Sequence, residues 1–242
     1  MPSAKDLIVK PIAAADANRI VQSLHYSGKT VQNSQVHLGV FLNGKCGGAM
    51  QFGPSIDKRK MLGLVEGTLW NEFIELNRMA FADWLPRNGE SRCIGYAMRW
   101  LRKTYPHLKW VVSFADGTQC GDGTIYRASG FVLTAIKSNK TMLRMPDGCI
   151  VADKTLNDDP IRNVRYWRKR GAKPLDGFQL RYLYFLDPTA RQRLTVPILP
   201  FSRIAEMGAC MYRGKPRAGS ADSGTPDLQS GRGGATPTPA LP

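Results

Sequence analysis

The chain has 242 residues, with 34 Lys+Arg against 19 Asp+Glu for a formal charge of +15, and 43% of it is hydrophobic. That is enough apolar material for one sizeable core, which excludes an intrinsically disordered chain, a collagen-like repeat and a disulfide-stapled miniprotein. No apolar run approaches the roughly 20 residues a bilayer crossing takes, and the positive surplus attracts polyanions, nucleic acid above all.

The opening segment carries Asp6 and Asp16 and has no continuous apolar stretch, so it does not read as a signal peptide. Five widely spaced cysteines, Cys46, Cys93, Cys120, Cys149 and Cys210, read as free thiols in a reducing compartment. The expected location is cytoplasmic, without membrane contact.

Asp6 to Ile12 predicts a first strand. Ala13, Ile20, Val21 and Leu24 fall at helical spacing, and Ser27-Gly28 ends that helix. Val36–Leu42 and Gly47–Phe52 form a hairpin around Asn43-Gly44, a type I′ turn signal. Phe73–Phe81 alternates large apolar and polar residues, as a strand does. The loop Pro86–Ser91 leads to a helix over Cys93–Tyr105. Trp110–Ala115 reads as a buried strand, and Thr124–Ser129 as a short helix closed by Gly130. Later strands are expected over Thr141–Met145 and Arg181–Leu186. This order predicts an α/β fold, a mixed sheet with helices on both faces. From Gly214 the chain is rich in Gly, Pro, Ser and Thr, which predicts a folded domain over 1–213 and a disordered tail over 214–242.

Between Ile161 and Lys173 lie Arg162, Arg165, Arg168, Lys169, Arg170 and Lys173 with no acid, and the rings of Tyr166 and Trp167 sit among them. Cations for phosphates interleaved with rings that stack on bases suit a nucleic-acid surface. A membrane-surface helix would need a longer apolar stripe.

The chain has no H-E-x-x-H, no C-x-x-C and no histidine pair at i, i+4, so no metal motif is recognisable. A metal site assembled across the fold from His25 and distant carboxylates stays open. P-loop and G-x-S-x-G motifs are missing too, and Asn157-Asp158-Asp159-Pro160 does not fit the adenine methyltransferase pattern of Asn or an acid before Pro-Pro-aromatic. The loop between the strand at Phe73–Phe81 and the next helix is more informative. With a glycine at its centre it can present free N–H groups to an anion, and Arg87, Asn88, Gly89, Ser91 and Arg92 form the candidate cofactor-binding set. The alternative is an ordinary connection between a strand and a helix.

A strand, a Gly-bearing anion loop and helix, a second strand, then Tyr126-Arg127-Ala128-Ser129-Gly130-Phe131 resembles the GCN5-related N-acetyltransferase (GNAT) superfamily. That likeness implies a GNAT-like fold, an acyl-coenzyme A on the loop and Tyr126 as general acid toward the leaving group. A closer resemblance covers most of residues 20–205. His25-Tyr26-Ser27-Gly28, Glu75-Leu76-Asn77-Arg78, Pro86–Ser91, Ser113-Phe114-Ala115-Asp116, Gly123–Phe131 and Leu194-Thr195-Val196-Pro197, taken as an ordered set, resemble the Mom family of phage DNA-modification proteins. This resemblance implies a transferase that converts adenine in DNA to its N6-carbamoylmethyl form, an anti-restriction device acting in the bacterial host cell. It also implies a catalytic set of Tyr26, Arg78, Ser113, Asp116 and Tyr126.

The residue types suit such a transfer. The N6 lone pair of adenine is delocalised into the ring, so the amine needs an activated electrophile and a base. Asp116, at the end of a buried strand, can be that base or a helix cap. Tyr126 can donate to a leaving group or simply fill the core, and Arg78 can hold a phosphate, a carbonyl or Asp116, or form a structural ion pair. Ser113 can donate to an oxyanion. Tyr26 can stack on an adenine flipped out of double-stranded DNA. The added group has the composition of a glycyl residue, which points to an activated glycyl donor such as glycyl-tRNA, the basic segment then serving tRNA as well as DNA. Acetyl-coenzyme A with a separate nitrogen source is the other route. Two further readings remain: a GNAT-type N-acyltransferase acting on a protein or small amine, and a non-enzymatic DNA-binding protein.

Overall fold

The computed structural model describes residues 2–117, 121–209, 211–212 and 215–216. In chain order the elements are β1 (Ile8–Pro11), α1 (Ala14–Leu24), β2 (Val36–Leu42), β3 (Lys45–Gly53), α2 (Lys58–Leu62), β4 (Phe73–Phe81), α3 (Gly89–Thr104), β5 (Trp110–Asp116) and α4 (Thr124–Ala128). They continue as β6 (Val132–Asn139), β7 (Met142–Arg144), β8 (Ile150–Ala152), α5 (Asp153–Asn157), α6 (Val164–Lys169), β9 (Lys173–Pro174), β10 (Gly177–Phe185), α7 (Ser202–Glu206), β11 (Met211–Tyr212) and β12 (Lys215–Pro216).

The main sheet runs β1-β2-β3-β4-β5-β10-β6. Its pairs are antiparallel except β4 with β5, which is parallel. The hairpin turn is as expected: Asn43 and Gly44 both have positive φ, at 50° and 78°, which the type I′ turn requires.

Strand alternation sorts the core onto two faces. Leu38, Met50, Phe52, Leu76, Val111 and Leu180 pack under α3, whose Cys93, Ile94, Ala97, Met98 and Leu101 form one helical stripe. On the other face Phe73 stacks on Trp110 with centroids 4.3 Å apart, and Val112 and Leu183 join them beneath Leu64, Val65 and Ala190. Gln51, one residue from Met50 and so on this second face, donates its amide to Asn18 of α1 at 2.8 Å. Ala17 and Val21 are the fully buried residues of that helix. Helices therefore cover both faces of a mixed sheet.

The strand expected over 141–145 forms as β7, but in a separate three-stranded sheet ordered β8-β7-β9. With α5 and α6 it makes a small lobe whose own core is Leu143, Met145 and Ala172, packed by Val151, Leu156, Val164 and Trp167. The chain then returns as β10, which inserts between β5 and β6. The tail expected over 214–242 lies outside the described residues apart from Lys215–Pro216, which pairs with Met211–Tyr212.

The β4–β5 ladder pairs Phe73, Ile74 and Glu75 with Trp110, Val111 and Val112, and stops there although both strands run on. On its other edge β4 pairs Leu76 with Phe52 and Arg78 with Gln51, so Asn77 is an extra, bulged residue. A bulge bends and over-twists its strand. The second half of β4 departs from β5, and the sheet is split from Leu76 and Ser113 onward.

Candidate active site

Ser113 is the first residue of β5 past the ladder and is fully buried. Its Oγ lies 3.3 Å from the Leu76 carbonyl and 2.9 Å from Tyr126 Oη. The hydroxyl replaces the main-chain partner that Leu76 loses at the split. A serine has one proton, so while it donates to Leu76 it accepts from Tyr126. Tyr126, on α4, stacks on Tyr182 at 5.0 Å and tilts against Phe131 at 5.3 Å. The Tyr182 hydroxyl donates to the Asp122 carbonyl. Gly123 makes this possible: its φ is +71°, and a Cβ there would lie 2.7 Å from the Tyr182 ring.

Arg78 occupies the other lip. Its Nη1 donates to the Asn77 carbonyl at 2.7 Å and its Nε to the Lys29 carbonyl at 3.2 Å, tying the bulge to the loop after α1. His25 begins that loop, its ring 4.3 Å from the ring of Tyr26. His25 Nδ1 accepts from the Ser27 N–H at 3.2 Å, so the ring proton belongs on Nε2. Burial, with the charge of Arg78 added, lowers the His25 pKa to about 4, and the ring is neutral at physiological pH. Tyr26 is 57% exposed. Glu75, the last residue of β4 paired with β5, is held by Ser55 and Asn77, and burial outweighs those bonds to raise its carboxyl above the ordinary range.

The five expected catalytic residues thus fall into two groups. Ser113 alternates with Val111 and Ala115 and faces α3 and α4, where Tyr126 is. Asp116 alternates with Trp110, Val112 and Phe114 and belongs to the opposite face. Arg78 pairs with Gln51, which reaches α1 on that same face, and Tyr26 follows α1. The split between β4 and β5 is where the two groups communicate. Glu75 is not among the expected site residues, and His25 is expected only as a possible metal ligand: both stand in the matched blocks, but neither the burial of Glu75 nor the effect of Arg78 on His25 is written in local sequence.

A cleft of about 480 Å³ opens beside the split, between the end of β4, the loop to α3 and α4. Of the expected cofactor-binding set, Arg87, Asn88 and Ser91 line it. Gly89 is buried, with room for a Cβ only 2.9 Å from Leu7, and Arg92 is not part of the lining. The helix begins at Gly89, earlier than the expected Cys93, after Asn88 turns the chain at φ 65°. Asp83 and Glu90 also line the cleft, and burial together with the charge of Asp83 raises the Glu90 carboxyl.

The basic segment forms α6, capped by Asn163, which accepts from the Tyr166 N–H at 3.2 Å. Arg165, Arg168 and Lys169 line a shallow groove of about 660 Å³. Arg170 lies 3.7 Å over the Tyr166 ring, while Trp167 turns into the lobe's core. Arg162 precedes the helix and Lys173 follows it on β9. Lys29 joins the lobe to the split through an ion pair with Asp158 at 2.9 Å. Among the described residues no group of three or more His, Cys, Asp or Glu could hold a metal ion, and no helix is long and apolar enough to cross a membrane.

A buried hydroxyl pair on one face of a split sheet, a guanidinium beside a neutral imidazole on the other, a cleft alongside and a cationic lobe are the equipment of a group-transfer enzyme. The model of the Mom protein family matches residues 6–203, and the chain belongs to that family. It is 37% identical over 199 residues to the methylcarbamoylase mom of Escherichia phage Mu, covering 80% of this chain and 81% of that one. Among solved structures it is similar to the ribosomal-protein-S18-alanine N-acetyltransferase of Escherichia coli, at 12% identity, 75% and 94% coverage and TM-score 0.44. A spermidine/spermine N-acetyltransferase of Vibrio cholerae is similar at 10% identity, 78% and 98% coverage and TM-score 0.45.

Proposed function

We propose that this transferase places a carbamoylmethyl group on N6 of adenine in double-stranded DNA, protecting phage DNA from restriction in the host cytoplasm. The observation that carries the reading is the family match, which spans both lips of the split and the basic lobe. Adenine leaves the stack and rests against Tyr26, with Arg78 on a neighbouring phosphate or on the donor carbonyl. Asp116 receives the proton that N6 loses on attack. Ser113, fixed on the Leu76 carbonyl, orients the Tyr126 phenol, and Tyr126 turns its one proton from the serine to the leaving oxygen. The cations of α6, from Arg162 to Lys173, take the phosphate backbone.

The cleft chemistry favours a glycyl donor over acetyl-coenzyme A. A pyrophosphate there would meet one cation, Arg87, and two carboxylates, Asp83 and Glu90, whereas a glycyl ammonium suits those acids. Atoms balance without an oxidant. N6 displaces the oxygen of a glycyl ester to give N6-glycyladenine; the glycyl amine then attacks C6, the C6–N6 bond breaks, and the former N6 leaves as the primary amide. A tRNA ester is the donor class that carries glycine in this activated form, and the basic lobe suits its phosphates. Cells expressing the chain and fed glycine labelled in carbon and nitrogen test this. Both labels should enter the modified deoxyadenosine; a modified base carrying neither ends the glycyl route.

A further inference from the structure

Beyond the split lies a second basic element that the catalytic scheme does not use. The loop 54–57 and α2 read Pro54-Ser55-Ile56-Asp57-Lys58-Arg59-Lys60. Ile56 is 84% exposed, a large aliphatic side chain held in water on a short connection. Single exposed aliphatics are common and by themselves mean little. Three observations set this one apart.

The first is anchorage on both sides. Ser55 is buried against Glu75. Lys58 lies 4.6 Å over the Trp70 ring and 5.5 Å from that of Phe73. Ile56 is therefore presented by a fixed loop. The second is position. The Pro54 carbonyl accepts from Asn77, at the bulge, and from Asn33 of the loop that carries Tyr26. That loop in turn takes the Arg78 bond at Lys29 and pairs Lys29 with Asp158 of the α6 lobe. One connected series of contacts thus runs from the lobe across the split to Ile56. The third is charge: Lys58, Arg59 and Lys60 follow one residue after Ile56, with Arg59 and Lys60 exposed and the intervening Asp57 carboxylate paired to Lys60 at 2.5 Å.

We infer that loop 54–57 and α2 form the second wall of a duplex-DNA seat, with Arg59 on the phosphate backbone and Ile56 entering the stack that the extruded adenine vacates. The inference rests on the proposed function, in which duplex DNA is the acceptor. Removing a base from the stack leaves an apolar gap between its neighbours, and an inserted aliphatic side chain replaces part of the lost stacking. The split supplies the pocket for the adenine, and Ile56 supplies what holds the duplex open.

The test places 2-aminopurine at the target position of a duplex that the wild-type protein modifies, because its fluorescence rises when it leaves the stack. A second duplex sets the same base opposite an abasic site, where little pairing resists extrusion. With the wild-type protein both should brighten on binding. Ile56→Ala should lose about tenfold of the response on the paired duplex, keep it on the abasic one and bind both within about twofold of wild type; Ile56→Leu should restore it. Arg59→Gln should lower the salt dependence of duplex binding by about one ion released. Equal responses from wild type and Ile56→Ala on the paired duplex would overturn the wedge while leaving base extrusion standing. No brightening on either duplex by the wild-type protein or by Tyr26→Ala, which removes the ring that could quench the extruded base, would overturn base extrusion, and the wedge with it.

Discussion

Ser113 Oγ and Tyr126 Oη lie 2.9 Å apart in the wall of a split sheet, and the serine hydroxyl also reaches the carbonyl that the split has orphaned, at 3.3 Å from Leu76. A backbone irregularity and a candidate proton donor are thereby joined. Whatever fixes the split also fixes the orientation of the phenol.

Tyr126→Phe keeps the ring in its stack with Tyr182 and removes only the hydroxyl. It should cost about 1 kcal/mol of stability, the worth of one buried hydrogen bond. If Tyr126 protonates the leaving oxygen, the same change should cut turnover by about 10² or more. Thermal melting and label transfer to DNA, measured on one preparation, separate the two effects.

Gly123→Ala should be worse for stability than for any single contact. The residue is held at φ +71°, and its new methyl would sit 2.7 Å from the Tyr182 ring. Left-handed strain and steric overlap together should cost about 3 kcal/mol, read as a lower denaturation midpoint. Tyr182→Leu should recover part of the overlap cost and none of the strain.

His25 sets a pH dependence of stability. Its folded-state pKa of about 4 lies below the unfolded value of 6.5, so the unfolded chain binds the proton first as pH falls. The stabilisation is whole above pH 6.5 and is lost between 6.5 and 4, by roughly 2–3 kcal/mol. The raised carboxyls of Glu75 and Glu90 act in the opposite sense, adding stability as pH falls. The informative quantity is therefore the difference between wild type and His25→Gln in denaturant unfolding across that range: the variant should lack the His25 share of the acid loss.

The thiols should react in order of access. Cys149 is exposed and should be alkylated readily at pH 8, whereas burial lifts the Cys93 thiol to about 12 and removes its thiolate. Mass spectrometry of iodoacetamide-treated protein should find Cys93 unmodified until denaturant is added.

The legible parts of this molecule were those with a local signature. Asn43-Gly44 fixed its own turn because both residues tolerate positive φ, and β4 was read to the residue because Phe73–Phe81 alternates. The first turn of α3 reads as loop because Gly89 is a loop marker, yet in the fold it is a buried helix start with Leu7 against it. The split was not legible. It depends on Asn77 being skipped in the pairing with β3, a register decision made between strands 25 residues apart in the chain. The two-sided arrangement of the site follows from that decision. Ser113 and Asp116 are three residues apart on one strand and so face opposite ways, which parity alone predicts once the strand is known. The small lobe is not legible because its strands are short and its core joins Leu143 and Met145 to Ala172 in the charged run, whose Trp167 packs against that core.

The most direct test of the account is mass spectrometry of nucleosides from plasmid DNA in cells expressing the chain, beside Asp116→Ala and Arg78→Ala controls of equal solubility. The account predicts a deoxyadenosine heavier by one glycyl residue in the wild-type sample and absent from both controls. Unmodified DNA alongside soluble, well-folded wild-type protein would contradict it.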